Sequence, residues 1–263
     1  MSGSGRKETI SVTIPEGYEC KQIFELLEEN RVCTATELYE TAATYDFDYA
    51  FLDGLAMGEQ NRLEGYLFPD TYEFFVNDTP ENVLAKLLDN FEAKVDEELL
   101  AQIDTLNASL TEKMRAAGFS EEEIAANQMD LHRVITVASL IEKEAAAESE
   151  RATVASVIYN RLCSNDYPYL QIDATIQYIL EERKENLTLE DQQIDNPYNT
   201  YRYEGLPPGP IANPGLASIK AALSPENTNY YFYALESDGT HHHFSETYSE
   251  HQQFLESQKD GQA

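Results

Sequence analysis

The stretch from Leu131 to Ala147 constrains the fold most. Val134, Val137, Ala138, Ile141 and Ala145 recur at about 100° per residue, so they define the buried stripe of one amphipathic helix. With Ile141 at the centre of that stripe, Glu144 lies about 60° to one side and Glu142 about 100° to the other, while Lys143 points to solvent. Leu140-Ile141-Glu142-Lys143-Glu144 therefore sets two carboxylates within or beside an apolar face. Ionised acids are costly there unless they are paired or given a role. Desolvation raises a carboxyl pKa, which a general acid working near neutral pH requires. The structural alternative is an ion pair or cap, with Arg151 or Arg161 as partner. Spacing alone does not choose between catalysis and pairing, nor between Glu142 and Glu144.

The chain has 263 residues, enough for two compact units. Its 17 Tyr and 11 Phe, within a 42% hydrophobic content, supply an ample folded core. A net charge of −30 repels phosphate backbones and anionic headgroups, which argues against nucleic-acid and peripheral membrane binding and for a monomer. A neutral or cationic polymer substrate is compatible with it. Cys20, Cys33 and Cys163 are too few and too scattered for a disulfide framework or a paired-ligand zinc site, and buried free thiols are expected in preference to a Cys20–Cys33 bridge. There is no run of 18 apolar residues and no signal-peptide pattern. The opening Met1-Ser2-Gly3-Ser4-Gly5 reads as an added leader over residues 1–7, with any natural anchor removed.

Residues 8–60 read as a small strand–helix module. Thr9–Ile14 alternates and then turns at Pro15-Glu16-Gly17, Ile23, Phe24, Leu26 and Leu27 follow at helical spacing, and Thr34 can cap a helix over 35–43. Residues 63–74 form an aromatic-rich extended segment bent at Gly65 and Pro69. Thr79-Pro80-Glu81 starts a helix that continues, with breaks, to about Lys113, and Ser120 opens another zone. A helix is expected over 151–162. Residues 196–214, with five prolines and Gly205 and Gly209, make a rigid loop of a kind often functional. A short helix over 218–223 ends at Pro225. Strands over 229–234 and 241–245 flank the Asp238-Gly239 turn.

Glu64, among Tyr66, Phe68, Tyr72 and Phe74, is a second acidic candidate beside rings that either stack a sugar or build core. Asp173 either touches substrate or caps the helix that follows it, a job Thr175 could share. Strand alternation splits His241-His242-His243 between two faces, and the neighbouring acids fit no ligand spacing, so no metal is expected. The nucleophile elbow, phosphate-binding loops, dinucleotide fingerprint and His-Glu-x-x-His helix are all absent, so no cofactor is expected either.

Six ordered blocks resemble the YceG/MltG-like endolytic murein transglycosylases: Leu63–Tyr72, Ala138–Glu144, Val154–Leu162, Leu170–Thr175, Asn196–Tyr201 and Gly205–Gly215. The resemblance implies an α+β architecture, with a LysM-like strand–helix module over 8–60 followed by a mixed α/β catalytic domain over 61–257 and a tail over 258–263. It implies a membrane-anchored enzyme at the extracytoplasmic face of the bacterial cytoplasmic membrane, working on peptidoglycan glycan strands beside peptidoglycan synthases. The implied reaction cleaves the β-1,4 bond between N-acetylmuramic acid and N-acetylglucosamine and leaves a 1,6-anhydro end, with no water consumed. It further implies Glu142, the first acid of the Glu-Lys-Glu block, as general acid and then base. Glu64, Gln171, Asp173, Asn199 and Tyr201 are expected to line the groove, orient the N-acetyl group or tune that acid, with 205–215 as a rigid wall. Two rival readings remain: a non-catalytic glycan-binding scaffold, and a hydrolytic muramidase using Asp173 or Glu64 as its second carboxylate.

Overall fold

The computed structural model describes residues 8–260, so the expected leader over 1–7 lies outside the described residues. Its contacts divide the chain into two compact units. The first comprises the described residues up to Asp96 together with Ala212–Gly215.

In the first unit, strand β1 (Thr9–Thr13) leads to helices α1 (Cys20–Glu29) and α2 (Ala35–Thr44), then to β2 (Thr71–Phe75) and α3 (Pro80–Lys94). β1 and β2 pair antiparallel, with Val12 opposite Tyr72 and Ile10 opposite Phe74. Alternation turns Val12, Tyr72 and Phe74 inward, where they join Ile23, Phe24 and Leu27 of α1 and Leu84, Leu87 and Phe91 of α3. The unit extends beyond the expected 8–60 module because β1 finds its partner only at 71–75. Thr34 accepts from the Glu37 amide in a capping box, and Thr79 accepts from the Asn82 amide with Pro80 in the first turn.

The second unit is mostly helical. It contains α4 (Glu97–Leu100), α5 (Gln102–Ala116), α6 (Glu121–Ala126), α7 (Leu131–Glu144), α8 (Arg151–Leu162), α9 (Asp173–Ile179) and α10 (Leu216–Leu223). A hairpin of β3 (Phe232–Leu235) and β4 (His242–Ser245) and a final helix α11 (Tyr248–Asp260) complete it. α7 is more enclosed than a one-sided stripe: every residue from Val134 to Ile141 is buried. α8, α9 and α10 all pack against it. Its buried hydroxyls are satisfied locally, Thr136 donating to the His132 carbonyl and Ser139 to the Thr136 carbonyl. Ser139 also accepts the Ile211 amide at 3.0 Å, which pins the proline-rich loop to the helix. α11 absorbs residues 258–260 of the expected tail. Cys20, Cys33 and Cys163 are all buried free thiols.

Candidate functional site

A cavity of about 410 Å³ opens in the second unit. Its polar lining includes Glu144, Gln171, Asp173, Tyr201, Tyr233 and His242, and its ring and aliphatic lining includes Phe232, Leu235 and Tyr248. Each arrives for a local reason. Glu144 is the last residue of α7, whose apolar length anchors it. Tyr233 belongs to β3 and His242 to β4, strands held in register with Leu235 opposite His242. Gln171 takes a left-handed backbone, φ 54°, with its amide bonded to the Thr200 carbonyl at 3.1 Å. That bond brings the approach to α9 alongside the segment carrying Tyr201.

The carboxyl group of Glu144 accepts the Tyr233 hydroxyl at 2.8 Å and the Ala174 amide. Burial pushes its pKa above the usual carboxylate range, and the nearby Asp173 adds to the rise. The Tyr233 hydroxyl, His242 and the Ala174 amide act the other way, favouring the ionised form. Asp173 is not the N-cap of α9; that position is Ile172, which offers no side-chain cap. The Asp173 carboxylate instead accepts the Tyr201 hydroxyl at 2.5 Å. Thr175 donates to the Ile172 carbonyl at 2.7 Å and stabilises the first turn. Burial and Asp173 together push the Tyr201 hydroxyl far up, so it acts as a donor.

Arg161, 8% exposed, binds carbonyl oxygens and, among the described residues, pairs with no carboxylate. It donates to the Tyr231 and Tyr169 carbonyls at 2.7 Å each and to Gln171 Oε1 at 3.2 Å, and it lies 5.0 Å from the Phe232 ring centroid. One buried guanidinium thus joins α8 to the start of β3 and to the segment leading into α9, and lines the cavity.

Glu142 does not line this cavity. Its Oε1 lies 3.7 Å from Arg151, both side chains are mostly buried, and Arg151 also donates to Ser218 at 3.0 Å. Two residues apart on one helix, Glu142 and Glu144 point in nearly opposite directions. Asn199 is fully buried: it donates to the Gln192 and Ile194 carbonyls and accepts the Tyr201 amide at 2.9 Å, so it supports Tyr201 from behind. Glu64 belongs to the first unit, 4% exposed, where it accepts the Cys20 amide at 3.0 Å and the Asn213 side chain at 2.9 Å. The structure thus gathers Gln171, Asp173 and Tyr201 with Glu144 at one cavity, and sets Glu142 beside Arg151 and Asn199 and Glu64 in other hydrogen-bonded surroundings.

The three histidines separate. His241 meets Asp238 at 2.7 Å, His243 stacks on Phe254 with centroids 4.2 Å apart, and His242 lines the cavity, bonded to Glu150 at 2.8 Å. No group of three or more His, Cys, Asp or Glu placed to hold a metal occurs among the described residues. The sequence offers Arg161 only as a carboxylate partner and gives Tyr233 and Glu150 no place in this site. The one usable signal was strand alternation, which sets His242 apart from its two neighbours.

Fold and site together define a mostly helical α+β protein with a carboxylic acid held in a hydrogen-bonded cavity. Residues 2–257 match the YceG-like family, and the chain belongs to that family. It is 38% identical over 177 residues to an endolytic murein transglycosylase of Bacillus subtilis, covering 67% of this chain and 43% of that protein. It is 30% identical over 250 residues to an endolytic murein transglycosylase of Streptococcus pneumoniae, covering 87% of this chain and 41% of that one. The chain therefore spans less than half the length of these relatives. A crystal structure of a yceG-like protein from Listeria monocytogenes superposes with a TM-score of 0.71 at 30% identity, covering 93% of this chain and 75% of that one. Among the described residues no helix is long and apolar enough to cross a membrane.

Proposed function

We propose that this chain is the catalytic part of an endolytic peptidoglycan transglycosylase, with Glu144 as its general acid. The observation that carries the reading is the surroundings of Glu144: a carboxyl group whose pKa is raised by burial, at the wall of a cavity shared with Asp173, Tyr201 and Tyr233. A raised pKa favours the protonated form, which protonation of a glycosidic oxygen demands. Glu142, the acid named by resemblance, is the rival. Its buried contact with the Arg151 guanidinium favours a structural role.

Protonated Glu144 donates to the oxygen leaving N-acetylmuramic acid C1, and that C1–O bond breaks. The substrate's own N-acetyl carbonyl stabilises the cation at C1, with Asp173 and its Tyr201 partner orienting the acetamido group. The C6 oxygen then closes on C1 and gives the 1,6-anhydro end. Its hydroxyl proton balances the one Glu144 lost, so the cycle consumes no water. The β1–α1–α2 segment serves as the LysM-like module, and the full-length protein acts at the extracytoplasmic face of the membrane.

Mass spectrometry of products released from purified peptidoglycan tests the reaction. Anhydro ends support it, whereas ends one water heavier favour a hydrolytic muramidase in which Asp173 activates the water. Glycan binding with unchanged strand length would favour a scaffold.

A further inference from the structure

Closure of the anhydro ring needs a group that removes the C6-hydroxyl proton before that proton reaches Glu144. A carboxylate-held imidazole lies at the same cavity. His242 Nδ1 is 2.8 Å from Glu150 Oε2, and the His242 backbone amide donates to both Glu150 oxygens at 3.1 Å. Both side chains are largely buried, 7% exposed for His242 and 13% for Glu150. The ring is also set edge-on to Tyr233, with centroids 5.4 Å apart, so its orientation is fixed from two sides.

An ionised carboxylate only accepts hydrogen bonds, so the pairing places the imidazole hydrogen on Nδ1 and the lone pair on Nε2. A base whose tautomer and direction are set by a third group is the arrangement used to deprotonate a hydroxyl nucleophile. Glu144, by contrast, already accepts from Tyr233 and Ala174.

We propose that His242, positioned by Glu150, is a second catalytic residue: through Nε2 it removes the C6-hydroxyl proton as the C6 oxygen forms its bond to C1. The oxygen's electron pair makes the C1–O6 bond, the proton passes to Nε2, and the imidazolium returns it to ionised Glu144. Atoms and charge balance without a co-reactant. This inference rests on the transglycosylase reading of the site. It adds that His242 sets which nucleophile, C6 oxygen or water, captures C1.

The test uses the whole chain and purified peptidoglycan, and reads the cleavage rate, the ratio of anhydro to reducing ends, binding to glycan strands and thermal melting. His242→Phe keeps the ring's bulk without the acceptor. It should lower formation of anhydro ends about 10²-fold, shift residual products toward reducing ends and leave strand binding within a few-fold of wild type. His242→Gln restores an acceptor and should recover part of the anhydro fraction. Wild-type rate and end ratio in His242→Phe would overturn the proposal, as would an equal loss in both variants tracking their loss of melting temperature. Should His242→Phe not fold, Glu150→Ala poses the same question from a residue that does not line the cavity. Its end ratio must move the same way and be restored by Glu150→Gln; an unmoved ratio overturns the proposal. A wild type that makes only reducing ends, or a fully active Glu144→Gln, defeats the underlying reading instead.

Discussion

At the scale of single residues, Tyr233 is the main lever on Glu144. Its hydroxyl favours the ionised carboxylate, while burial and Asp173 favour the neutral acid. Tyr233→Phe should therefore raise the Glu144 pKa further, and the alkaline limb of the rate–pH profile should move to higher pH; an unmoved or lowered limb contradicts this. Stability follows the same sign. A carboxyl whose folded pKa exceeds its unfolded value stabilises the fold fully below about 4.3, the unfolded value, and loses that contribution as pH rises through the folded one. Glu144→Gln should thus melt a few degrees above wild type at neutral pH, with the gap closing on acidification. Helical spacing made both acids of the Glu-Lys-Glu block legible as costly neighbours of an apolar face. It did not separate them, because Tyr233, the partner of Glu144, lies 89 residues further along, and spacing does not say which of the two acids Arg151 meets.

At the scale of elements, local chemistry was readable wherever it is local. Thr34, Thr79 and Ser120 each cap the helix their sequence announces. α11 went unread because its sequence is polar on most faces and offers few apolar anchors, among them Phe254 beneath His243. The N-cap of α7 is Asp130, whose carboxylate accepts the Arg133 amide at 2.8 Å. Asp130→Ala should lower stability by about 1 kcal/mol in denaturant unfolding, with little change in the alkaline limb set by Glu144 at the far end of the helix. A comparable shift of that limb would mean the helix end is not anchored by its buried length.

At the scale of the whole molecule, the two compact units had different legibility. The small unit takes in Ala212–Gly215, a return no periodicity could announce. Asn213 explains it. Its side chain accepts the Gly65 and Leu67 amides at 2.9 Å each and donates to the Tyr18 carbonyl and Glu64 at 2.9 Å each. Asn213→Ala strands these buried groups and should destabilise the protein by about 2–4 kcal/mol, measured by urea unfolding; a loss under about 0.5 kcal/mol would contradict that role. Resemblance supplied the substrate class and named Glu142, whereas the cavity points to Glu144. The comparison of Glu142→Gln with Glu144→Gln, each checked for folding and assayed for release of anhydro-ended fragments, tests that choice most directly. The account predicts a loss of at least about 10³-fold in Glu144→Gln and substantial activity in Glu142→Gln. A well-folded Glu144→Gln that works like wild type beside an inactive Glu142→Gln would contradict it.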